Sequence, residues 1–109
     1  MKDLRISEMM EMQSKLWSLH QNNCAPMEAA YARDSVLWMI EELGEVIAII
    51  KKKGDQAIMS NPDVRAHFLE EMSDVLMYYH DALMRYGVSA EEISKAYVEK
   101  HERNLTRFF

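Results

Sequence analysis

The spacing of apolar residues constrains the fold of this chain more than any other feature, because they recur every three or four positions along most of its length. That period matches the turn of an α-helix, whereas a half-buried strand would alternate apolar and polar residues. The 109 residues include only three glycines and two prolines, so few positions interrupt a helix. With neither a linker nor a low-complexity segment, the sequence predicts one all-α domain over residues 1–109.

Turn-forming and capping residues divide the chain into four predicted helices. Gly54 follows three lysines that suit the negative end of a helix dipole. Asn61 and Ser89 have the character of N-caps. The first predicted helix ends in the turn-forming segment 20–26. The other three span about 31–53, 62–86 and 89–107, and 54–61 forms a connection. We therefore predict a four-helix bundle-like fold.

Composition excludes several classes of function. With 18 acidic and 13 basic residues the formal net charge is −5, which argues against a nucleic-acid-binding surface. The sequence shows neither the long apolar run of a membrane span nor a signal peptide. A single cysteine, Cys24, cannot form an intrachain disulfide and fits a reducing compartment. We expect a cytoplasmic protein with no membrane partner.

Two acidic clusters interrupt apolar segments that are otherwise typical of buried helix faces. They lie in "WMIEELGEVIAII", residues 38–50, and in "FLEEMSDVLMYY", residues 68–79. Residues three apart on a helix are neighbours, so Glu42 faces Glu45, and Glu71 faces Asp74. Both pairs lie roughly 12 to 18 Å from the predicted turn at the helical rise of about 1.5 Å per residue, so a hairpin brings them level.

Four carboxylates at one level of a helical hairpin form an all-oxygen site that suits a hard cation, above all Mg²⁺. We expect Mg²⁺ as the cofactor, with Mn²⁺ as its substitute. The alternative for each cluster is a solvated helix face. A di-iron centre requires Glu-x-x-His pairs, and none of the four histidines follows a glutamate at that spacing.

The acidic motifs resemble those of the MazG-like all-α nucleotide pyrophosphohydrolases. That family has Glu-Glu-x-x-Glu followed by Glu-x-x-Asp, and this chain has "EELGE" at 41–45 and "EMSD" at 71–74. The segment "YVEKHERNLTR" at 97–107 matches a weaker Lys, Asn and Arg pattern. The resemblance spans roughly residues 30–107.

The resemblance implies hydrolysis of a nucleoside triphosphate to the monophosphate and pyrophosphate. It implies that Mg²⁺ is held by Glu42, Glu45, Glu71 and Asp74, and that Glu41 orients or deprotonates the attacking water. Metal ions between the carboxylates and the triphosphate would offset their repulsion and stabilise charge on the transferring oxygens. The cellular role would be sanitation or balance of the deoxynucleotide pool.

Two further groups of residues are predicted to hold the nucleotide. Lys100, Asn104 and Arg107 fall at i, i+4 and i+7, a face that suits phosphates, although a solvated helix end has the same pattern. Aromatic and polar residues near the acidic motifs and on the first helix could bind the base, although aromatics at helical spacing are more often core. The predicted base-binding residues are Gln13, Trp17, His20, Trp38 and Tyr78.

Two rival functions stay open on sequence alone. A phosphoribosyl-ATP pyrophosphohydrolase would use the same metal chemistry on a modified adenine nucleotide. A non-catalytic helical module would bind the metal without turnover. Apolar stripes on more than one face also predict a homodimer or homotetramer, since a second copy would bury what one small domain leaves exposed.

Overall fold

The computed structural model of the chain describes residues 1–107. Within this range it is all-helical and has no strand, which confirms the predicted fold class. The five α-helices are α1 (Ile6–Leu19), α2 (Ala32–Lys53), α3 (Asp55–Ser60), α4 (Pro62–Arg85) and α5 (Ala90–Asn104). Two short 3-10 helices, Gln21–Asn23 and Ala29–Tyr31, lie between α1 and α2.

The predicted capping residues lie at the helix ends where the sequence placed them. Gly54 follows α2 with a φ of 83°, a left-handed conformation that glycine adopts without a steric penalty. The side chain of Asn61 accepts hydrogen bonds from the backbone N–H groups of Asp63 and Val64 at the start of α4. Ser89 accepts one from the N–H of Glu92 and so caps α5.

Two predicted boundaries are wrong. The connection 54–61 contains the short helix α3, so the described chain has five α-helices instead of four. The last helix ends at Asn104, because the N–H of Thr106 bonds to the carbonyl of Arg103 and tightens the chain into a turn. Arg107 lies beyond α5 and does not continue the helical face of Lys100 and Asn104.

Helices α2 and α4 form the antiparallel hairpin that organises the molecule, and they make its most extensive helix–helix contact. Ser35 lies opposite Asp81, Trp38 opposite Tyr78, and Glu42 opposite Glu71 and Asp74. These contacts line up one face of α2 with one face of α4. Helix α1 packs on α4, and α5 packs mainly against α1.

The chain leaves much of its apolar surface uncovered. Its buried apolar residues, within residues 1–107, are Met10, Ala32, Val46, Ile49 and Ala82. The radius of gyration is 16.2 Å, whereas a compact domain of this length has about 13 Å. No helix within the described range is long and apolar enough to cross a membrane.

Candidate metal and nucleotide site

Three of the four predicted metal ligands meet at the centre of the α2–α4 hairpin. Glu42 on α2 and Glu71 and Asp74 on α4 each offer a carboxylate oxygen, and these oxygens lie within 4.8 Å of one another. Glu71 and Asp74 are neighbours on one helical face, and the antiparallel pairing brings Glu42 opposite them. The three carboxylates could hold a metal ion, and oxygen ligands favour Mg²⁺, Mn²⁺ or Ca²⁺.

The crowding of the carboxylates favours the protonated form of Glu42. A side-chain hydrogen bond with Glu71 is the main cause that raises the pKa of Glu42 to about 7. Partial burial and the negative charges of Asp74, Glu71 and Glu45 raise that pKa further. A divalent cation bound there would favour the ionised carboxylate, so metal binding and proton loss from Glu42 would be coupled.

The other two predicted acids lie outside this group of three. Glu45 is exposed, although its charge still contributes to the raised pKa of Glu42. Glu41 is also exposed. The imidazole of His67, which the sequence alone did not distinguish from an ordinary helix residue, lies with Nε2 3.4 Å from Glu71 Oε1. His67 therefore borders the acidic cluster.

One cavity of about 370 Å³ gathers the residues that were predicted to bind a base. This volume falls in the range of small-molecule sites. Helix α1 supplies two of these residues, a third caps its C-terminal end, and α2 and α4 supply one aromatic residue each. We call it the nucleotide cavity after that prediction, and the five predicted residues that line it are Gln13, Trp17, His20, Trp38 and Tyr78.

The nucleotide cavity adjoins the acidic cluster through Trp38 and Tyr78. Their ring centroids lie 5.8 Å apart with the planes inclined by 55°. Burial is the main cause that raises the pKa of the Tyr78 hydroxyl, followed by the charges of Glu42, Asp74, Glu41 and Asp81. Negative charges in the acidic cluster and in the cavity therefore both disfavour ionisation of the Tyr78 hydroxyl.

A buried polar network at the cavity was missed from sequence. Asp81 accepts hydrogen bonds from the hydroxyl of Ser35 and from Arg85 Nε, the latter at 2.7 Å. All three residues are buried, and Asp81 and Arg85 line the nucleotide cavity. A signal was present: Ser35 lies two turns before Glu42 and Asp81 two turns after Asp74, on the same helical faces.

The predicted phosphate-binding residues lie elsewhere in the single chain. Lys100, Asn104 and Arg107 line neither the nucleotide cavity nor the acidic cluster. Lys100 and Arg107 are exposed. Asn104 is half-buried, and its Oδ1 is sealed from solvent without a hydrogen-bond donor from the described part of the chain. The structure does not bring this group to the acidic cluster within one copy.

Comparison with known protein families gives a match. The family model described as dATP/dGTP pyrophosphohydrolase matches residues 36–109, about two thirds of the chain. The matched range includes both acidic motifs and α5, whereas the cavity residues of α1 lie before it. Neither the curated proteins nor the solved structures contain a significant match.

Proposed function

Because the chain belongs to the dATP/dGTP pyrophosphohydrolase family, we propose that it hydrolyses a purine deoxynucleoside triphosphate to the monophosphate and pyrophosphate. The observation that carries this proposal is the adjacency of two features on one hairpin. Three carboxylates that could hold a metal lie beside an aromatic cavity of nucleotide-base dimensions. A triphosphate could then bridge the two, with its base in the cavity and its phosphates at the metal.

The proposed cofactor is Mg²⁺, held by Glu42, Glu71 and Asp74, with Glu45 joining when the metal and the substrate are bound. The donor set supports this choice, since Mg²⁺ prefers carboxylate oxygens and retains waters that phosphate oxygens can replace. When bound, the ion would neutralise charge on the phosphates. The protein residues fix the position of the ion and bring the phosphate chain into a defined orientation.

Glu41 is the proposed base for the attacking water. It is exposed beside the cluster and is adjacent in sequence to Glu42, so a water molecule can reach it from solvent. Its role requires a water between the carboxylate and the phosphorus atom under attack. A Glu41→Gln variant that still binds nucleotide but does not turn it over would support this role.

The base is proposed to lie between the aromatic walls of the nucleotide cavity. Trp17, Trp38 and Tyr78 line it with aromatic rings against which a purine can pack. Gln13 and His20 add hydrogen-bonding groups at the same cavity. We assign all five residues to base binding, and we assign the cellular role to control of the deoxynucleotide pool.

A homo-oligomer is the proposed working form. Several large apolar side chains on α2 and α4 are more than half exposed in one copy, among them Ile40, Ile47 and Leu69. Burying them against a second copy would supply the apolar burial that the open single chain lacks. We propose that Lys100, Asn104 and Arg107 contact phosphates in this assembly, at a site to which a neighbouring copy contributes.

The test is a pyrophosphate-release assay with the four canonical deoxynucleotides, their ribonucleotides and phosphoribosyl-ATP, with Mg²⁺ and with a chelator. The proposal predicts metal-dependent pyrophosphate from dATP or dGTP. Release of inorganic phosphate in place of pyrophosphate, or faster turnover of phosphoribosyl-ATP, would reject it. Metal binding without any turnover would instead identify an interaction module.

A further inference from the structure

The buried carboxylate at the nucleotide cavity is held in one orientation from two sides. Asp81 Oδ2 accepts from the Ser35 hydroxyl on α2 and from Arg85 Nε on α4. The exposed fractions of Ser35, Asp81 and Arg85 are 1%, 5% and 7%. A carboxylate with two donors on one oxygen cannot rotate without breaking both hydrogen bonds. The other oxygen, Oδ1, therefore has a fixed position.

The cavity wall beside Asp81 is fixed by the same network. Arg85 Nη1 donates to the carbonyl oxygens of Ala25 and Pro26, and Trp17 Nε1 donates to Ala25 O at 2.9 Å. These hydrogen bonds join α1, α4 and the segment between α1 and α2. The indole of Trp17 and the carboxylate of Asp81, which both line the cavity, thus belong to one hydrogen-bonded network.

Asp81 Oδ1 lacks a protein donor. No group within residues 1–107 donates a hydrogen bond to it. It is also not among the partnerless side-chain atoms of the described chain that are sealed from solvent, which belong to His80 and Asn104. Because Asp81 lines the nucleotide cavity, this oxygen is an acceptor that an occupant of the cavity can reach. An ionised carboxylate only accepts hydrogen bonds, so the complementary ligand group is an N–H or O–H donor.

We infer that Asp81 reads the base, by accepting a hydrogen bond at Oδ1 from the exocyclic amino group of the purine. This inference rests on the proposed function for its ligand class. Adenine, guanine and cytosine carry an exocyclic amino group, whereas thymine and uracil do not. Aromatic residues stack on any base, so stacking in this cavity does not distinguish an amino group from a carbonyl. A fixed carboxylate distinguishes the two groups. It accepts a hydrogen bond from an amino group, whereas a carbonyl oxygen in the same place is a second acceptor and is repelled.

The test compares nucleotides that differ in that amino group alone. The pairs are dATP with deoxynebularine triphosphate, and dGTP with dITP. The pair that decides the test is the one that contains whichever of dATP and dGTP the protein hydrolyses faster. For the wild type we expect kcat/KM to be about 10- to 150-fold higher for the amino-bearing nucleotide, the range of a hydrogen bond to a charged group. Equal kcat/KM within the deciding pair would overturn the inference and leave the hydrolase proposal intact.

Asp81→Asn and Ser35→Ala form the matched pair of variants. The asparagine amide can satisfy Arg85 through its carbonyl and then presents an NH₂ donor to the cavity, so the preference should fall to within about threefold of unity. Ser35→Ala removes a hydroxyl from the same buried network but leaves Oδ1 unchanged, so the preference should persist. Equal loss in both variants would assign the effect to the packing of the network and overturn the role of Oδ1.

Calorimetric binding separates this inference from the proposed reaction. The monophosphates dAMP and deoxynebularine monophosphate, or dGMP and dIMP, report base recognition without hydrolysis. A protein that releases no pyrophosphate but prefers the amino-bearing monophosphate would retain the inference and lose the proposed reaction. If Asp81→Asn does not fold by circular dichroism, the wild-type comparison of the paired nucleotides alone decides.

Discussion

The rings of Trp38 and Tyr78 approach to 5.8 Å between centroids, and each lies one turn along its helix from a residue of the acidic cluster. The contact joins the two parts of the site. On one side lie Glu42 and Asp74, and on the other lies Asp81 with its buried partners. A nucleotide base at these rings would have its phosphates within reach of the acidic cluster.

Removal of one charge from the acidic cluster should abolish most of the activity. Glu42→Gln and Asp74→Asn nearly preserve side-chain shape but weaken a metal site that supplies several kcal/mol, so we expect a loss of about 100-fold or more in kcat/KM. Circular dichroism should show unchanged helicity. Glu70→Gln, an exposed residue on the same helix, is the control. Near-normal turnover of both cluster variants at limiting Mg²⁺ would contradict the site.

The metal-free protein should lose stability as the pH rises toward neutrality. The pKa of Glu42 is about 7 in the folded chain against an ordinary value of 4.5, so the folded state binds more protons between these values. The contribution of Glu42 to the free energy of unfolding is complete below pH 4.5 and is lost as the pH rises through 7. Thermal unfolding in chelator should therefore show the Tm of Glu42→Gln rising relative to that of the wild type as the pH increases over this interval.

Addition of Mg²⁺ should reverse that difference. A cation that binds the folded state stabilises it, and the wild-type cluster should bind it more tightly than the variant. At pH 8 the wild type should show the larger increase in Tm with Mg²⁺. Equal increases in the two proteins would place the bound metal elsewhere.

His80 should destabilise the fold at acidic pH. It is buried, and both ring nitrogens lack a hydrogen-bond partner within residues 1–107. Burial lowers its pKa below 6.5, so its contribution is complete above pH 6.5 and is lost as the pH falls toward the folded-state pKa. His80→Leu should stabilise the protein by about 1 kcal/mol, with a larger gain at pH 5.5 than at pH 8. Denaturant unfolding measures this, with exposed His101→Gln as the control.

Lys100 and Trp17 should affect substrate use in different ways. Lys100→Ala should lower kcat/KM for every accepted nucleotide by a similar factor of about 10 to 150, because a phosphate contact carries no information about the base. Trp17→Ala should change the ranking among bases, since this residue lines the nucleotide cavity. A Lys100→Ala variant that altered only the choice between purine and pyrimidine would place α5 at the base.

A charge on the uncovered hairpin face should break the proposed oligomer. Leu69 is 52% exposed and lines an apolar groove with Met72, Leu76 and Tyr79. Leu69→Glu would leave a carboxylate in a subunit contact, so light scattering should report a lower mass than for the wild type. Met59→Glu places the same charge on α3, where the side chain is 72% exposed, and should not change the mass. A monomeric wild type would reject the assembly.

The sequence by itself determined the all-α class, the hairpin and the approach of the two acidic motifs. Each depends on local rules: a helical period in the apolar residues, caps at Asn61 and Ser89, and equal distances of the motifs from the turn. The same helical spacing predicted that Trp38 and Tyr78 border the acidic motifs, since each is one turn from an acid. It missed α3 and extended α5 too far, because propensity alone places helix ends poorly.

Tertiary structure decided which polar side chains are buried together. Ser35 and Asp81 are 46 residues apart, and Arg85 reaches backbone carbonyls 59 and 60 residues away. Helical spacing places Ser35 and Asp81 on the same faces as the acidic motifs, but their burial depends on how α1 and the loop before α2 pack over the hairpin. The tertiary structure also decided that Glu45 is exposed, whereas Glu42, Glu71 and Asp74 lie together between α2 and α4. Helical spacing fixes the side of a helix on which a residue lies, but only the neighbouring helices determine what that side contacts.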